Sequence, residues 1–348
     1  MRGLLLIAVL LLGGCSKQEP LYTEQLFVFG TLVEFSIWGV EPGQAREAVS
    51  AVAADFQRMH RDWHAWKPGA LTAFNLAVAA GEPAEVDAFV LPLIEESKQL
   101  YRRSEGLFNP AIGQLIALWG FHSDDRPSGP PPSKKAIAEL VASHPTMDDI
   151  DIQGNVVRSR NPAVQLDFGA FAKGYAIDLA VRRLREKGID HAIVNAGGDL
   201  RAIGRRGERP WRVGIRHPQG QGLLASVETD GDDSVFTSGN YERYREHEGI
   251  RHSHIIDPRS GMPVEHVASV TVIHDNGAVA DAAATALTVA GSGAWHRIAQ
   301  GMGIEYAMLV DGQGTVYMNP AMARRVRFEG GDPPTIVFSK PLSNARME

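Results

Sequence analysis

Apolar and polar residues follow different periods in the two halves of the chain. In the first half, apolar residues recur at helical spacing, and this predicts three helices, over residues 44–60, 87–104 and 110–119. Ser133 stands where a helix N-cap stands and predicts a fourth helix that ends at residue 144. Residues 26–38 alternate and are rich in β-branched and aromatic side chains, which predicts a strand.

The second half is dominated by short apolar runs of the kind that form strands. These runs cover residues 164–168, 191–194, 211–215, 225–229, 268–273, 305–310 and 314–317. Two helices are predicted between them, over residues 174–187 and 280–289. Because strands and helices do not alternate strictly, the pattern predicts an α+β fold with mixed β-sheets and packed helices. The proline- and glycine-rich segment 123–132 predicts a loop.

The composition of the 348 residues is that of a soluble globular protein, with 44% apolar and 22% charged residues. The length is sufficient for one large domain or for two lobes. A formal net charge of −6 excludes the basic footprint of a nucleic-acid-binding protein, so no nucleic-acid partner is expected. The same charge gives the folded part no basic face for anionic lipid.

The first residues have the pattern of an export signal. Arg2 precedes an apolar run, residues 3–12, that is too short to span a bilayer as a helix. The run leads into Leu12-Gly13-Gly14-Cys15, which resembles a bacterial lipobox and implies that Cys15 becomes the lipidated first residue. The alternative is a buried N-terminal helix with a stray thiol. The predicted organisation is a signal peptide over residues 1–14, a lipidated cysteine and tether over 15–24, and a folded domain over 25–340.

The segment Asp167-Phe168-Gly169-Ala170-Phe171-Ala172-Lys173-Gly174 is the first that carries candidate chemistry, and it lies between a predicted strand and a predicted helix. The free N–H groups and the positive dipole end of a helix start form a natural anion site. Lys173 would add a full charge to such a site. The alternative is a simple turn with a capping Asp167 and a solvated lysine.

Asp281 and Thr285 form the second candidate. They are four residues apart and therefore share one helix face, within a run of alanines that leaves room for a ligand. Carboxylate and hydroxyl oxygens suit Mg²⁺, which takes few protein ligands and completes its shell with phosphate and water. Alternatively, Asp281 stabilises the helix dipole and Thr285 bonds back to a backbone carbonyl.

Histidines and glycines supply the remaining candidates. His252 and His254 share a face if they lie on one strand, and one of them is a candidate general base. A zinc pair lacks an obvious third ligand, and a polar strand edge is the other alternative. The paired glycines of Asn195-Ala196-Gly197-Gly198-Asp199 predict a tight turn. Residues 220–225 have the spacing of a dinucleotide fingerprint, but a strand-like run follows where that fingerprint needs a helix, which excludes it.

Taken in order, these segments resemble the ApbE family, the FAD:protein FMN transferases, from Phe29 to about Val310. The blocks that carry the resemblance are Phe29-Gly30-Thr31, Phe108-Asn109-Pro110, Leu118-Trp119-Gly120-Phe121, 167–174, 195–199, 211–215, 237–241, 254–258 with Gly261 and Pro263, and Ala280-Asp281 with Thr285. The resemblance implies a two-lobed α+β body with an FAD cleft. It also implies transfer of FMN from FAD to a Thr or Ser hydroxyl of an acceptor flavoprotein, with release of AMP.

The resemblance further implies roles for single residues. The FAD-binding positions are Phe29, Trp66, Leu107, Phe108, Asn109, Asp167, Lys173 and Ile256. Mg²⁺ is implied at the backbone carbonyl of Ala170 and the side chains of Asp281 and Thr285, and His254 is implied to help deprotonate the acceptor hydroxyl. With the lipobox, the resemblance predicts an enzyme that is lipid-anchored in the bacterial cell envelope. It would face the periplasm from the inner or outer membrane, beside an acceptor subunit of a membrane redox complex.

Several positions depart from the family pattern: besides Ala70 and Thr72, which replace a more usual serine pattern before Asn75, three concern the implied site. Phe29 replaces a frequent methionine, Asn109 replaces a frequent aspartate, and Ala284 stands where some members have a second acid in the metal helix. The last departure leaves two side-chain ligands for the metal. Two other functions stay open on the same residues: hydrolysis of FAD to FMN and AMP, and non-enzymatic FAD binding by a periplasmic lipoprotein.

Overall fold

A computed structural model describes residues 21–123, 125–330 and 333–342 of the chain. The predicted signal peptide, Cys15 and most of the predicted tether lie outside these residues. The helices of the described part are α1 Pro42–Asp62, α2 Ala70–Ala79, α3 Leu91–Arg103, α4 Gly113–Leu118, α5 Lys134–Ala142, α6 Ala172–Glu186, α7 Gly277–Gly301 and α8 Pro320–Arg325. Within the described ranges, no helix is long and apolar enough to cross a membrane.

The strands are numbered β1 to β17 in chain order. They are β1 Tyr22–Val28, β2 Thr31–Ile37, β3 Ala84–Glu85, β4 Ile150–Gln153, β5 Val156–Ser159, β6 Ala192–Ala196, β7 Asp199–Ile203, β8 Arg212–Arg216, β9 Leu223–Glu228, β10 Asp232–Gly239, β11 Tyr244–His247, β12 Ile250–Ser253, β13 Val267–His274, β14 Tyr306–Asp311, β15 Val316–Met318, β16 Val326–Phe328 and β17 Ile336–Phe338.

One large sheet organises the molecule. Its nine strands lie in the order β1-β2-β6-β7-β10-β13-β14-β15-β17. Neighbouring strands are antiparallel except β15 and β17, which are parallel, so the sheet is mixed. Three smaller sheets, β16-β9-β8, β3-β5-β4 and β11-β12, surround it. The predicted α+β class with mixed sheets is confirmed.

The large sheet has a separate hydrophobic core on each face. Since side chains alternate along a strand, neighbouring residues enter different cores. Phe236 and Leu309 pack with residues of α1, α6 and α7, whereas Val235 and Met308 pack with β8 and β9. The sheet therefore forms the shared wall between a helical layer and a second layer that consists mainly of strands and includes α8.

Helices α6 and α7 approach each other unusually closely where they begin. A Cβ atom on Gly174 would lie 2.2 Å from the backbone oxygen of Gly277, which is closer than any real contact. Asp178 of α6 also accepts hydrogen bonds from the backbone N–H groups of Gly277 and Ala278, at 2.9 and 3.1 Å. These contacts fix the first turn of α7 against the first turns of α6.

Two strand predictions are corrected by the structure. The predicted strand 26–38 is a hairpin, because Phe29 and Gly30 both take positive φ, 57° and 71°, and form a two-residue turn. β1 begins at Tyr22, so residues 22–24 belong to the sheet and not to the predicted tether. The predicted strand 164–168 is wrong: this segment is irregular, and its Leu166 N–H and C=O groups pair with the buried Asn75 side chain at 2.8 and 2.9 Å.

Most of the other predicted elements are confirmed with shifted ends. Ser133 caps α5 by accepting from the Ala136 N–H, as its position predicted. The predicted helix 87–104 begins only at Leu91, because the carboxylate of Asp87 accepts from the Phe89 N–H in a turn before it. The predicted loop 123–132 is anchored by the buried Arg245, which donates to the carbonyls of residues 128, 129 and 130.

Candidate active site

Charged side chains from three elements meet at the start of α6. Lys173 forms an ion pair with Asp199, the first residue of β7. Asp199 also accepts from the Thr237 N–H of β10 at 2.8 Å, which fixes its carboxylate. Asp281 of α7 accepts from the Gly174 N–H at 2.9 Å. The structure thus brings together Lys173 and Asp281, which lie more than one hundred residues apart in sequence.

A third carboxylate, Glu242, completes this charged cluster. Burial works against the charge of Lys173, but the carboxylates of Asp199, Asp281 and Glu242 outweigh it, so the pKa of Lys173 lies above its ordinary value. Burial raises the pKa of both Asp281 and Glu242, and the carboxylate of Asp199 raises each pKa further. The crowding of three acids around one ammonium therefore favours the neutral, protonated forms of Asp281 and Glu242.

Thr285 opens onto the same cleft. Its neighbours Ala284 and Ala286 are fully buried, while Thr285 is only half-buried. Its hydroxyl lies 3.5 Å from the hydroxyl of Ser238 on β10. Asp281 and Thr285 therefore present two oxygen donors on one face of α7, as their spacing predicted. Ala170, the third predicted ligand, is half-buried in the loop that leads into α6.

Trp66 and Asp167 are held together by a direct hydrogen bond. The indole N–H of Trp66 donates to one carboxylate oxygen of Asp167 at 2.9 Å, and the other oxygen accepts from the Gly169 N–H at 2.7 Å. The ring of His122 packs edge-on against Trp66 at 5.5 Å. Phe29 lies in the hairpin turn, where its ring meets those of Phe56 at 5.3 Å and His60 at 6.0 Å.

The remaining predicted FAD positions are buried or already paired. Phe108 is in the core with its ring 6.0 Å from that of Phe171, and Leu107 and Ile256 are also buried. The Asn109 amide donates to the Pro145 carbonyl at 3.0 Å, and its oxygen accepts from the Ala111 N–H at 3.1 Å. A ligand at these positions would therefore meet backbone groups and side-chain edges.

His254 does not share a strand face with His252. β12 ends at Ser253, after which His254 turns its Nδ1 to the Arg243 carbonyl at 3.1 Å. His252 instead approaches Glu265 at 3.0 Å and packs near Trp119. Burial, the charge of Arg243 and, more weakly, that of Lys173 lower the pKa of His254 to about 4. His254 is therefore a neutral imidazole at physiological pH, able to accept a proton.

Comparison with known proteins identifies this arrangement. A family model described as the ApbE family matches residues 29–308, which include every predicted site position except Cys15. The chain belongs to the ApbE family. It is 47% identical over 339 residues to the FAD:protein FMN transferase of Rhodobacter capsulatus, a match that covers 96% of this chain. The chain spans 65% of the length of that relative.

Two further ApbE proteins match most of the chain. The FAD:protein FMN transferase of Vibrio cholerae is 30% identical over 314 residues, covering 88% of this chain and 92% of that protein. The crystal structure of the ApbE protein from Thermotoga maritima superposes with a TM-score of 0.80 at 28% identity, covering 88% of this chain and all of that chain. The predicted family is confirmed in both sequence and fold.

Three residues of the ApbE cleft were not predicted as site residues. Asp199 was visible only as the end of a glycine turn, yet its carboxylate pairs with Lys173. Glu242 and Ser238 lie in and beside the segment 237–241, which carried the family resemblance without assigned roles. The sequence signal for these residues is polarity: Thr237 and Ser238 stand near the end of β10, and Glu242 follows in the turn before β11.

Proposed function

We propose that this ApbE protein transfers FMN from FAD to a Thr or Ser hydroxyl of an acceptor protein and releases AMP. The observation that supports it most directly is the cleft itself. There, Lys173 and Asp281 meet at the start of α6, and Thr285 lies one turn after Asp281 on α7. The same lysine acts electrostatically on His254. A phosphate-binding charge and a neutral base thus belong to one site. Phosphoryl transfer needs little more than such positioning and charge stabilisation.

FAD would lie along the wall formed by Phe29, Trp66 and Asp167, with Lys173 at its pyrophosphate. The indole of Trp66 is a suitable face for stacking a flavin ring, and its hydrogen bond to Asp167 fixes the orientation of that face. FAD would also contact the backbone and the side-chain edges of Leu107, Phe108, Asn109 and Ile256.

The cleft fits Mg²⁺ by its charge and by its donor types. Burial and, after it, the carboxylate of Asp199 raise the pKa of Asp281, so a cation bound beside it would favour its charged form. In the described ranges, no three His, Cys, Asp or Glu side chains are arranged to hold a metal. The metal would therefore be held by the Asp281 carboxylate, the Thr285 hydroxyl and the Ala170 carbonyl, with phosphate oxygens of the substrate. When bound, Mg²⁺ neutralises charge on the phosphates and the leaving group.

His254 would accept the proton of the acceptor hydroxyl. The hydroxyl oxygen forms a bond to the FMN-side phosphorus, and the pyrophosphate bond to AMP breaks with its electron pair on AMP. Lys173 stabilises the negative charge that grows on the pyrophosphate oxygens, because it lies at the helix start with its ammonium charge secured by Asp199. If water takes the place of the acceptor, the same groups hydrolyse FAD to FMN and AMP.

The cellular setting is also part of the proposal. Cys15 follows a lipobox-like sequence, so the mature protein would be anchored by lipid in the cell envelope on the periplasmic side. The acceptor would then be a flavoprotein subunit of a membrane redox complex, held near the enzyme by the anchor. A Cys15→Ala variant tests this: it should lose membrane association in a fractionation experiment and keep its FMN transfer activity.

The activity is tested by incubating the purified protein with FAD, Mg²⁺ and an acceptor domain from a flavinylated redox protein. The expected result is AMP and a fluorescent acceptor whose mass rises by FMN on Thr or Ser. AMP with free FMN only would support a hydrolase, and intact bound FAD would support a carrier; either outcome contradicts the transferase.

An Asp281→Asn variant tests the metal assignment in the same assay. The amide oxygen can still accept from the Gly174 N–H, so the fold is preserved while the anionic ligand is lost. We expect activity to fall at least about 100-fold. The matched control is Asp275→Asn, whose side chain is 83% exposed and which should keep full activity. Equal activity of the two variants would remove Asp281 from the site.

A further inference from the structure

Arg243 connects three segments around His254. It lies between β10 and β11, and its guanidinium donates to the carbonyls of Phe121 at 3.4 Å and Ser123 at 2.7 Å, in the turn after α4. Its own backbone carbonyl accepts from the His254 N–H at 3.1 Å and lies 3.1 Å from the His254 Nδ1. One residue thus attaches the histidine to the segment that follows α4.

The contact at Nδ1 determines which nitrogen of His254 is basic. A carbonyl oxygen only accepts hydrogen bonds, so the Nδ1 atom of neutral His254 must carry the hydrogen. The lone pair then resides on Nε2, on the other side of the ring. The ring of Phe121 packs edge-on against the imidazole, with the ring centres 6.3 Å apart, and holds its plane. Because Arg243 binds the Phe121 carbonyl, it also secures this packing.

Two charged groups act on His254, one from each side. The Arg243 guanidinium acts from the turn before β11, and the Lys173 ammonium acts from the start of α6. Both disfavour a second proton on the ring. The effect of Arg243 is the larger of the two, and it adds to that of burial in lowering the pKa of His254.

We propose that Arg243 is the positioning residue of the base: its side chain fixes the turn after α4, and its carbonyl fixes His254 as the Nδ1–H tautomer with Nε2 free to accept a proton. The proposal rests on the proposed role of His254 in the transfer reaction. It assigns to Arg243 an effect on the orientation and protonation of His254, without contact to FAD or to the acceptor.

Two variants separate the charge of Arg243 from its hydrogen bonds. Arg243→Lys keeps the positive charge but cannot reach both carbonyls with a planar group, and Arg243→Gln keeps one possible donor but loses the charge. The matched control is Arg251→Gln in β12. Arg251 packs on the Tyr244 ring at 4.5 Å and pairs with Glu246, and its charge does not contribute to the lowered pKa of His254.

The readout is NMR of ¹⁵N-histidine in the full-length chain in detergent, with the His254 signal assigned by its loss in His254→Gln. The ¹⁵N shifts report the tautomer, and a pH titration reports the pKa of His254. We expect the Nδ1–H tautomer in the unmodified protein, a higher pKa of His254 in Arg243→Gln, and a pKa that stays low in Arg243→Lys. The Arg251→Gln control should titrate as the unmodified protein does.

Activity provides the second readout. In Arg243→Gln, the fall of kcat on the acid side should begin at higher pH, and kcat near neutrality should drop about tenfold with the KM for FAD unchanged. An Nε2–H tautomer in the unmodified protein, an unchanged pKa of His254 in Arg243→Gln, or an equal shift in Arg251→Gln would overturn the proposal. The NMR result is obtained whether or not the protein transfers FMN, so a failure of the proposed function is recognised separately.

Discussion

Replacing Gly174 by alanine should disturb the fold and the site through one steric contact. The new Cβ would lie 2.2 Å from the Gly277 backbone oxygen, 2.6 Å from the Gly277 carbonyl carbon and 2.9 Å from the Asp281 Cβ. Two of these atoms are backbone, which cannot rotate away as the end of a flexible side chain can. Helices α6 and α7 must therefore move apart where Lys173 and Asp281 meet.

The size of the effect follows from that distance. An ordinary contact needs at least 3.4 Å, so the two helix starts must separate by about 1 Å. Overpacking of this kind destabilises by roughly 1–3 kcal/mol, and alanine regains about 1 kcal/mol by its helix propensity. We expect a net loss of up to about 2 kcal/mol in the free energy of unfolding. A shift of about 1 Å at the reacting groups lowers kcat by about 100-fold.

Urea denaturation and the FMN transfer assay measure these two effects separately. Gly293→Ala is the matched control, because Gly293 lies in the same helix α7 with no atom within 4 Å of its added Cβ. This control should be neutral or up to about 1 kcal/mol more stable, with unchanged kcat. If Gly174→Ala unfolds at the same urea concentration as the unmodified protein and keeps its kcat, the close packing of α6 on α7 does not position the site.

Three other perturbations test separate features. Asn75→Ala should destabilise by about 2–3 kcal/mol in urea denaturation, because it leaves the N–H and C=O groups of Leu166 unpaired. Trp66→Phe keeps an aromatic face but loses the hydrogen bond to Asp167, and should raise the Kd for FAD about tenfold in fluorescence titration. Because the pKa of His254 is lowered to about 4 from 6.5, the unfolded chain binds more protons between these values, and stability falls as pH drops through that range. His254→Gln should therefore lose less stability between pH 8 and pH 5 than the unmodified protein, and an equal loss would contradict the assignment.

Helices and buried strands could be predicted from the sequence wherever the apolar residues follow a single helical or strand spacing. β13 is an apolar run with both faces buried, and α5 carries its own N-cap signal at Ser133. In such segments the local pattern and the tertiary packing favour the same structure. The α+β class followed from their order, although the pairing order of the large sheet did not.

The strand predictions were wrong in segments whose structure is determined by long-range contacts and not by the local sequence pattern. The hairpin turn at Phe29-Gly30 lacks the usual Asn-Gly or Asp-Gly pair, and strand alternation continues on both sides of it. The apolar run 164–168 has strand composition, but the Asn75 side chain of α2 takes the backbone groups that a neighbouring strand would bind. No short stretch of sequence contains both Asn75 and the apolar run, so a local pattern could not predict this interaction.

The candidate site likewise combines residues that a local pattern places with residues that only the fold brings together. Asp281 and Thr285 are four residues apart, and a local spacing rule was sufficient to place them on one face. The carboxylates of Asp199 and Glu242 join them only after β7, the turn before β11 and α7 have come together. Only the assembled site places three acidic side chains around one ammonium, and this arrangement supports the proposal of a cation beside Lys173. Motif residues therefore suggested the proposed chemistry, and the electrostatic balance of the surrounding acids, which is a property of the fold, supports the proposed Mg²⁺ site.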